Sequence, residues 1–176
     1  MPTETGFNTD WLTERYAFDC AARNKEVEQA CLSSLNKKEK LNIVDIGSGS
    51  GSSCLYLMQK LKQDQKWTFI ELNPQLAQAS LERIEDFARQ NNWQTQLNGM
   101  HLVIKSPHNI IEIEVVNDSF LKLGEIVNLS EVDLVTAAAV FDLLSLGMLE
   151  EFMQLLLDTK VALLATINYA GMRFLP

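Results

Sequence analysis

Residues 43–51 read Ile43-Val44-Asp45-Ile46-Gly47-Ser48-Gly49-Ser50-Gly51, and the fold of the chain is decided there. With Leu41 and Asn42 before them, they form a short apolar strand that stops at glycine. Beyond the glycines, Cys54, Leu57, Met58 and Leu61 recur at i, i+3, i+4 and i+7, the spacing of one helix face. A strand that meets alternating glycines and then a helix describes a tight turn at the carboxyl end of a parallel sheet. Glycine takes positive φ at little steric cost and lets another group approach where a Cβ would stand. In open α/β folds, that corner is where ligands bind.

Working outward, the pattern alternates. Ahead of the strand, Asp10 to Ala22 reads as one helix, and Val27, Ala30, Cys31 and Leu35 mark one face of a second. Behind it, a strand from Trp67 to Leu72 ends at Asn73-Pro74, where Asn suits the N-cap and Pro the first helical position. Leu81, Ile84, Phe87 and Ala88 give that helix its buried face. His101 to Asp118 alternates as strand, turn and strand around Ser106-Pro107-His108-Asn109, with Ile111 to Asn117 the better core strand. Val132 to Ala137 is the fourth core strand and Val161 to Asn168 the fifth, with helical segments near Val140–Leu146 and Leu149–Leu157. This order predicts one α/β domain over 1–176, with 1–40 as N-terminal helices and 41–176 as the core. Right-handed crossovers make its sheet parallel, with helices on both faces.

Composition narrows the function classes. Hydrophobic residues make up 47% and charged residues 22% of 176, which describes an ordinary globular domain. Fifteen Lys and Arg stand against 23 Asp and Glu, a formal net charge of −8, which disfavours a nucleic-acid partner. Cys20, Cys31 and Cys54 lie far apart with no C-x-x-C, the usage of a reduced, cytoplasmic chain. Two histidines are too few for a His-rich metal site, so no metal is expected. The polar N-terminus predicts no signal peptide, and the run Val161–Ile167 is too short to cross a membrane.

The glycine spacing is G-x-G-x-G, with an acid two residues ahead. The dinucleotide fingerprint G-x-G-x-x-G needs its third glycine at position 52, which is Ser. Asp45 would also repel a diphosphate and suits a positively charged ligand better. A nicotinamide-dependent oxidoreductase is therefore the weaker reading of this corner.

Val44 to Gly51 resembles the first motif of class I S-adenosyl-L-methionine-dependent methyltransferases, and Trp11 to Arg15 with Asp19, Ala22 and Arg23, and Ala138 to Ser145, are similar to a bacterial branch of them. The resemblance implies a Rossmann-like, doubly wound, mostly parallel sheet with core strand order 3-2-1-4-5 and an N-terminal helical lid. It implies S-adenosyl-L-methionine as cofactor and S-adenosyl-L-homocysteine as product. Asp45, Gly47, Ser48, Gly49 and Gly51 would hold the methionine end. Glu71, with Leu72 beside it, would accept hydrogen bonds from the ribose hydroxyls, a role that a two-oxygen carboxylate suits. Asp118, Ser119 and Phe120 would contact the adenine, and Thr136 and Ala137 would lie beside the sulfonium. Family members continue past the fifth strand into a helix and an antiparallel strand pair, so a chain ending at Phe174-Leu175-Pro176 is expected to lack the closing strands and to leave an edge open to a homodimer. A methyltransferase-like binding domain without activity stays open on the same ground.

Methyl transfer is an in-line displacement for which the protein supplies proximity and a dry site, so no acid–base motif is demanded. Asp142, a charge in an apolar stretch after the fourth strand, is the catalytic candidate, with an exposed capping position as the alternative. Trp11, Arg15 and Tyr16 are substrate-side candidates on the leading helix, with Arg15 also able to pair with Asp19 at i+4. No Asn-Pro-Pro-aromatic run follows the fourth strand, which, with the acidic charge, points to a small-molecule acceptor.

Overall fold

The computed structural model describes residues 9–168, with side chains from Glu14 onward. Two helices lead, α1 (Thr9–Ala22) and α2 (Lys25–Leu35), followed by β1 (Lys40–Ile46), α3 (Ser52–Leu57), β2 (Asp64–Ile70) and α4 (Pro74–Gln90). Then come β3 (Gln94–Asn98), β4 (His101–Lys105), β5 (Ile110–Val116), α5 (Leu123–Ile126), β6 (Leu134–Ala138), α6 (Leu146–Thr159) and β7 (Ala162–Thr166). The seven strands among the described residues form one sheet in the order β3-β4-β5-β2-β1-β6-β7. The pairings among β5, β2, β1, β6 and β7 are parallel. Those of β3 with β4 and β4 with β5 are antiparallel.

Alternation along β1 assigns the two faces. Leu41 and Ile43 enter a cluster with Leu35 of α2, Cys54 and Leu57 of α3, and Leu81 and Ile84 of α4. Val44 and Ile46 enter the opposite cluster with Leu123 of α5 and Phe152 and Leu156 of α6. Helices thus cover both faces, and central strands buried on both sides carry the near-continuous apolar runs seen in the sequence. Fully buried Phe69 meets the ring of Trp67 edge to face at 6.2 Å. Its burial alone stabilises by about 2–3 kcal/mol. Gln65, buried beside them, donates to the carbonyls of Met58 and Leu61 and accepts from Trp67 Nε1, which closes the turn from α3 into β2.

Three differences from the sequence reading have local causes. Strand β3 was not expected: Gln94-Thr95-Gln96-Leu97-Asn98 is mostly polar because it lies at the sheet edge and pairs on one side only. Strand β2 starts at Asp64 and ends at Ile70 rather than spanning 67–72, so Glu71 and Leu72 sit in the loop before the α4 cap. Strand β6 begins at Leu134 rather than Val132, because Asp133 turns its carboxylate back to the Asn42 amide at 2.9 Å. His101 and His108 are exposed and Cys54 is buried. The expectations built on Phe174-Leu175-Pro176 lie outside the described residues.

Candidate active site

The turn after β1 has the shape its glycines dictate. Gly47 has φ +56° and Gly51 φ +74°, both in the left-handed region. A Cβ on Gly47 would stand 2.9 Å from Val140 Cγ2, and one on Gly51 would stand 2.8 Å from Ile84 Cδ1. These positions therefore need glycine twice over, for conformation and for space. Gly49 plays another part: its N–H donates to Glu71 Oε2 at 2.8 Å. Glu71 Oε1 accepts from the N–H of Asn73 at 2.9 Å, just where the Asn73 side chain caps α4. Glu71 is thus a buried clasp between the turn after β1 and the loop after β2. Each of its oxygens keeps a lone pair for another donor.

A cleft of about 550 Å³ opens over this clasp, at the carboxyl ends of β1, β2 and β6. Its floor is Gly47 to Ser50 with Glu71, its flank Leu72, Leu76 and Phe120. The wall on the β6 side is Ala138, Ala139, Val140 and Leu143, with Ile167 from the end of β7. Arg15, Asp19 and Arg23 of the leading helix region face it at intervals of four. Two buried polar atoms by the floor, Asp45 Oδ2 and Ser48 Oγ, have no hydrogen-bond partner among the described residues. Orphaned polar atoms at a cleft mark where a polar ligand would supply the missing bonds.

The structure brings together Gly47, Ser48, Gly49, Glu71, Leu72, Phe120 and Arg15 of the expected residues. Others stand outside the cleft lining. Asp45 lies beneath the turn, where Oδ1 accepts from the Thr136 hydroxyl at 2.7 Å. Burial pushes its carboxyl up to about 7, against the Thr136 hydrogen bond and the positive charge of Arg23. Gly51 faces α4. Thr136 and Ala137 are buried in the sheet, and the pair that reaches the cleft is Ala138 and Ala139, because β6 runs on to Ala138. Asp118 turns to Lys122 and the Ser119 amide, which hold its carboxyl below the usual range, and Ser119 caps the following turn. Asp142 is exposed, while Val140 and Leu143 on either side line the cleft. Arg15 pairs with Asp19 at 2.9 Å. Tyr16 lies under the Arg83 guanidinium at 4.8 Å from its ring, and the Trp11 side chain is outside the described residues.

Two arginines carry more than the sequence suggested. Arg83 of α4 donates to Ser50 Oγ at 2.7 Å and to the Ser50 carbonyl at 3.3 Å, so it holds the glycine turn while stacking on Tyr16. Nothing local marks it, since its partners lie more than thirty residues away. Arg23 had a signal: extending the Arg15–Asp19 spacing by four residues lands on it.

No protein-family model matches the sequence, and the search of curated proteins gives no match. Solved structures do match. The plantazolicin methyltransferase BamL, in complex with a triazolic desmethylPZN analogue and S-adenosyl-L-homocysteine, aligns with TM-score 0.51 at 14% identity, over 85% of this chain and 47% of that one. An rRNA methylase from Streptococcus thermophilus gives 0.47 at 14% identity, over 78% and 66%. A methyltransferase dependent on S-adenosyl-L-methionine from Aquifex aeolicus gives 0.44 at 18% identity, over 84% and 66%. The chain spans about half to two thirds of the length of these three. At such identities the likeness speaks to the fold alone, and on the alignment with BamL this chain has the fold of class I S-adenosyl-L-methionine-dependent methyltransferases.

Proposed function

We propose that the chain binds S-adenosyl-L-methionine in the cleft over Glu71 and transfers its methyl group to a nucleophilic O, N or C atom of a small molecule. One observation carries this reading: the clasp of Glu71 by the Gly49 and Asn73 amides, set between two loops at the carboxyl end of a parallel sheet. Both oxygens are oriented before any ligand arrives, and a vicinal diol is the group that fits two fixed acceptors side by side. Around it, Leu72, Leu76 and Phe120 offer an apolar flank for a flat base. The unpartnered Ser48 hydroxyl on the cleft floor suits the carboxylate of an amino-acid end. When bound, the cofactor would supply a methyl carbon on a sulfonium: an electron pair of the acceptor atom would form the new bond, the C–S pair would stay on sulfur as S-adenosyl-L-homocysteine, and any displaced proton would leave to water.

The chain's own part is to hold and to dry. In this reading α1 serves as a lid over the cleft through Arg15 and Asp19, and the apolar β6 wall excludes water beside the reacting carbon. No step is assigned to Asp142, whose exposed side chain stands outside the cleft. The formal charge of −8 favours a small acceptor over a nucleic acid. A thermal-shift titration tests the reading: S-adenosyl-L-homocysteine is expected to raise Tm dose-dependently and NADH is not. Stabilisation by NADH without any by S-adenosyl-L-homocysteine would overturn it.

A further inference from the structure

A second cavity of about 270 Å³ lies against the first, between the start of α2, Tyr56 of α3 and the end of β7. Arg23 and Ile167 line both spaces, so Arg23 stands at their junction. The residue is only 8% exposed. The guanidinium lies over the Tyr56 ring at 4.4 Å, and Nη1 donates to Thr166 Oγ1 at 3.2 Å. Nε is buried without a hydrogen-bond partner, and no carboxylate among the described residues is within ion-pair distance of Arg23. A buried cation is ordinarily paired, because its desolvation is otherwise uncompensated.

The geometry says which anion is missing. With Nη1 engaged by Thr166, the free side of the guanidinium is its Nε–Nη2 edge, a fork matched by the two oxygens of a carboxylate. The cavity wall carries one acid, Glu28, and both its oxygens are engaged, one by the Tyr56 hydroxyl and the other by Lys60. An acid in the wall disfavours a dianion such as phosphate, whereas a single carboxylate on an apolar body suits Val27, Leu57, Leu164 and the Tyr56 ring. At about 270 Å³ the volume falls just below the usual range for ligand pockets of drug size, about 300–1,000 Å³, and fits a small acid. We infer that the smaller cavity binds a small organic acid through bidentate contact of its carboxylate with Arg23, and that this acid is the methyl acceptor. The assignment as acceptor rests on the reading under Proposed function, while the carboxylate site itself does not.

The test uses ¹⁵N-labelled full-length protein and three probes added in turn, acetate, propionate and benzoate, with benzamide as the neutral control. The arginine Nε–H signal that disappears in Arg23→Lys is expected to move with at least one acid and not with benzamide. The affinity for that acid is expected to fall about 30-fold or more in Arg23→Lys and Arg23→Met, the cost of breaking a buried charged pair. Thr166→Val, which keeps the charge but frees the guanidinium to turn, is expected to weaken the acid less than either. Because Arg23 also lines the cofactor cleft, S-adenosyl-L-homocysteine is expected to lose some affinity in both arginine variants, but at least tenfold less than the acid loses, a difference of about 1.4 kcal/mol. No shift of the Arg23 signal by any of the three acids would overturn the site. A loss of S-adenosyl-L-homocysteine in Arg23→Lys as large as the loss of acid would overturn the acceptor, since the carboxylate would then belong to the cofactor's amino-acid end. Should wild-type protein bind the acid and not S-adenosyl-L-homocysteine, the carboxylate site stands and the methyltransferase reading falls.

Discussion

The two walls of the large cleft are built differently. On the side of β1 and β2, backbone amides and one carboxylate fix each other: Gly49 and Asn73 hold Glu71, and Arg83 holds Ser50. On the side of β6 and β7 the wall is apolar, and its turns are left-handed without glycine, with φ +56° at Ala139 and +57° at Ile167. Such a conformation costs roughly 1–2 kcal/mol for a side chain with a Cβ. Recognition that depends on backbone amides has to be written in glycine and acid, so it leaves a motif. A wall that supplies only shape and dryness can be written in many residues, with the strain carried by the strands that pin it. Ala139, for example, donates its N–H to the Thr166 carbonyl at 3.0 Å.

The sharpest way to break the comparison is Asp45. Its folded carboxyl is raised to about 7 by burial, above its unfolded value near 3.9. The fold therefore favours the protonated acid, and its contribution is complete below about pH 4 and lost as pH rises through 7. Asp45→Asn, always neutral, is expected to gain on wild type between pH 4 and 8 by up to about 4 kcal/mol. Urea midpoints across that range measure it, and parallel pH curves would contradict the assignment. Next in size, Gly51→Ala is expected to cost about 3 kcal/mol, strain plus the clash with Ile84. Gly99→Ala is the control: the same left-handed φ of +59° in open space should cost only about 1 kcal/mol.

On binding, Glu71→Ala is expected to weaken S-adenosyl-L-homocysteine about a hundredfold, or about 2.7 kcal/mol. Leu143→Ala on the other wall should weaken it less than about fivefold, or about 1 kcal/mol. Equal calorimetric losses would erase the distinction between a wall that recognises and a wall that encloses. The smallest effect is on the strained side: Ala139→Gly is expected to raise stability by about 0.5 kcal/mol, relief of strain nearly offset by chain entropy. A loss above about 1 kcal/mol would mean that the alanine methyl packs more than its position suggests.

The same contrast explains what could be read in advance. The glycine turn after β1 and the place of Glu71 beside it were legible because conformation and charge leave few alternatives there, while Asp45 and Gly51, also expected in the cleft, stand outside its lining. The Asn73-Pro74 start of α4 was legible because capping chemistry is local. Thr136 and Ala137 were placed at the cleft, and the structure sets Ala138 and Ala139 there, because no residue marks where an apolar strand leaves its sheet. Polar β3 was missed because an edge strand needs no apolar alternation. Arg83 acts across a distance in sequence that no pattern spans.

Arg83 has one more consequence, and it concerns exchange rather than shape. The same guanidinium rests on Tyr16 of α1 and on the Ser50 hydroxyl of the glycine turn, so the opening of the helix and the loosening of the turn are thermodynamically linked. Linkage is reciprocal: whatever steadies the turn through Arg83 protects the α1 amides from exchange with solvent by the coupling free energy that the arginine carries. The leading helix is then a built-in reporter, whose amide exchange reads the occupancy of a cleft on the other side of one arginine.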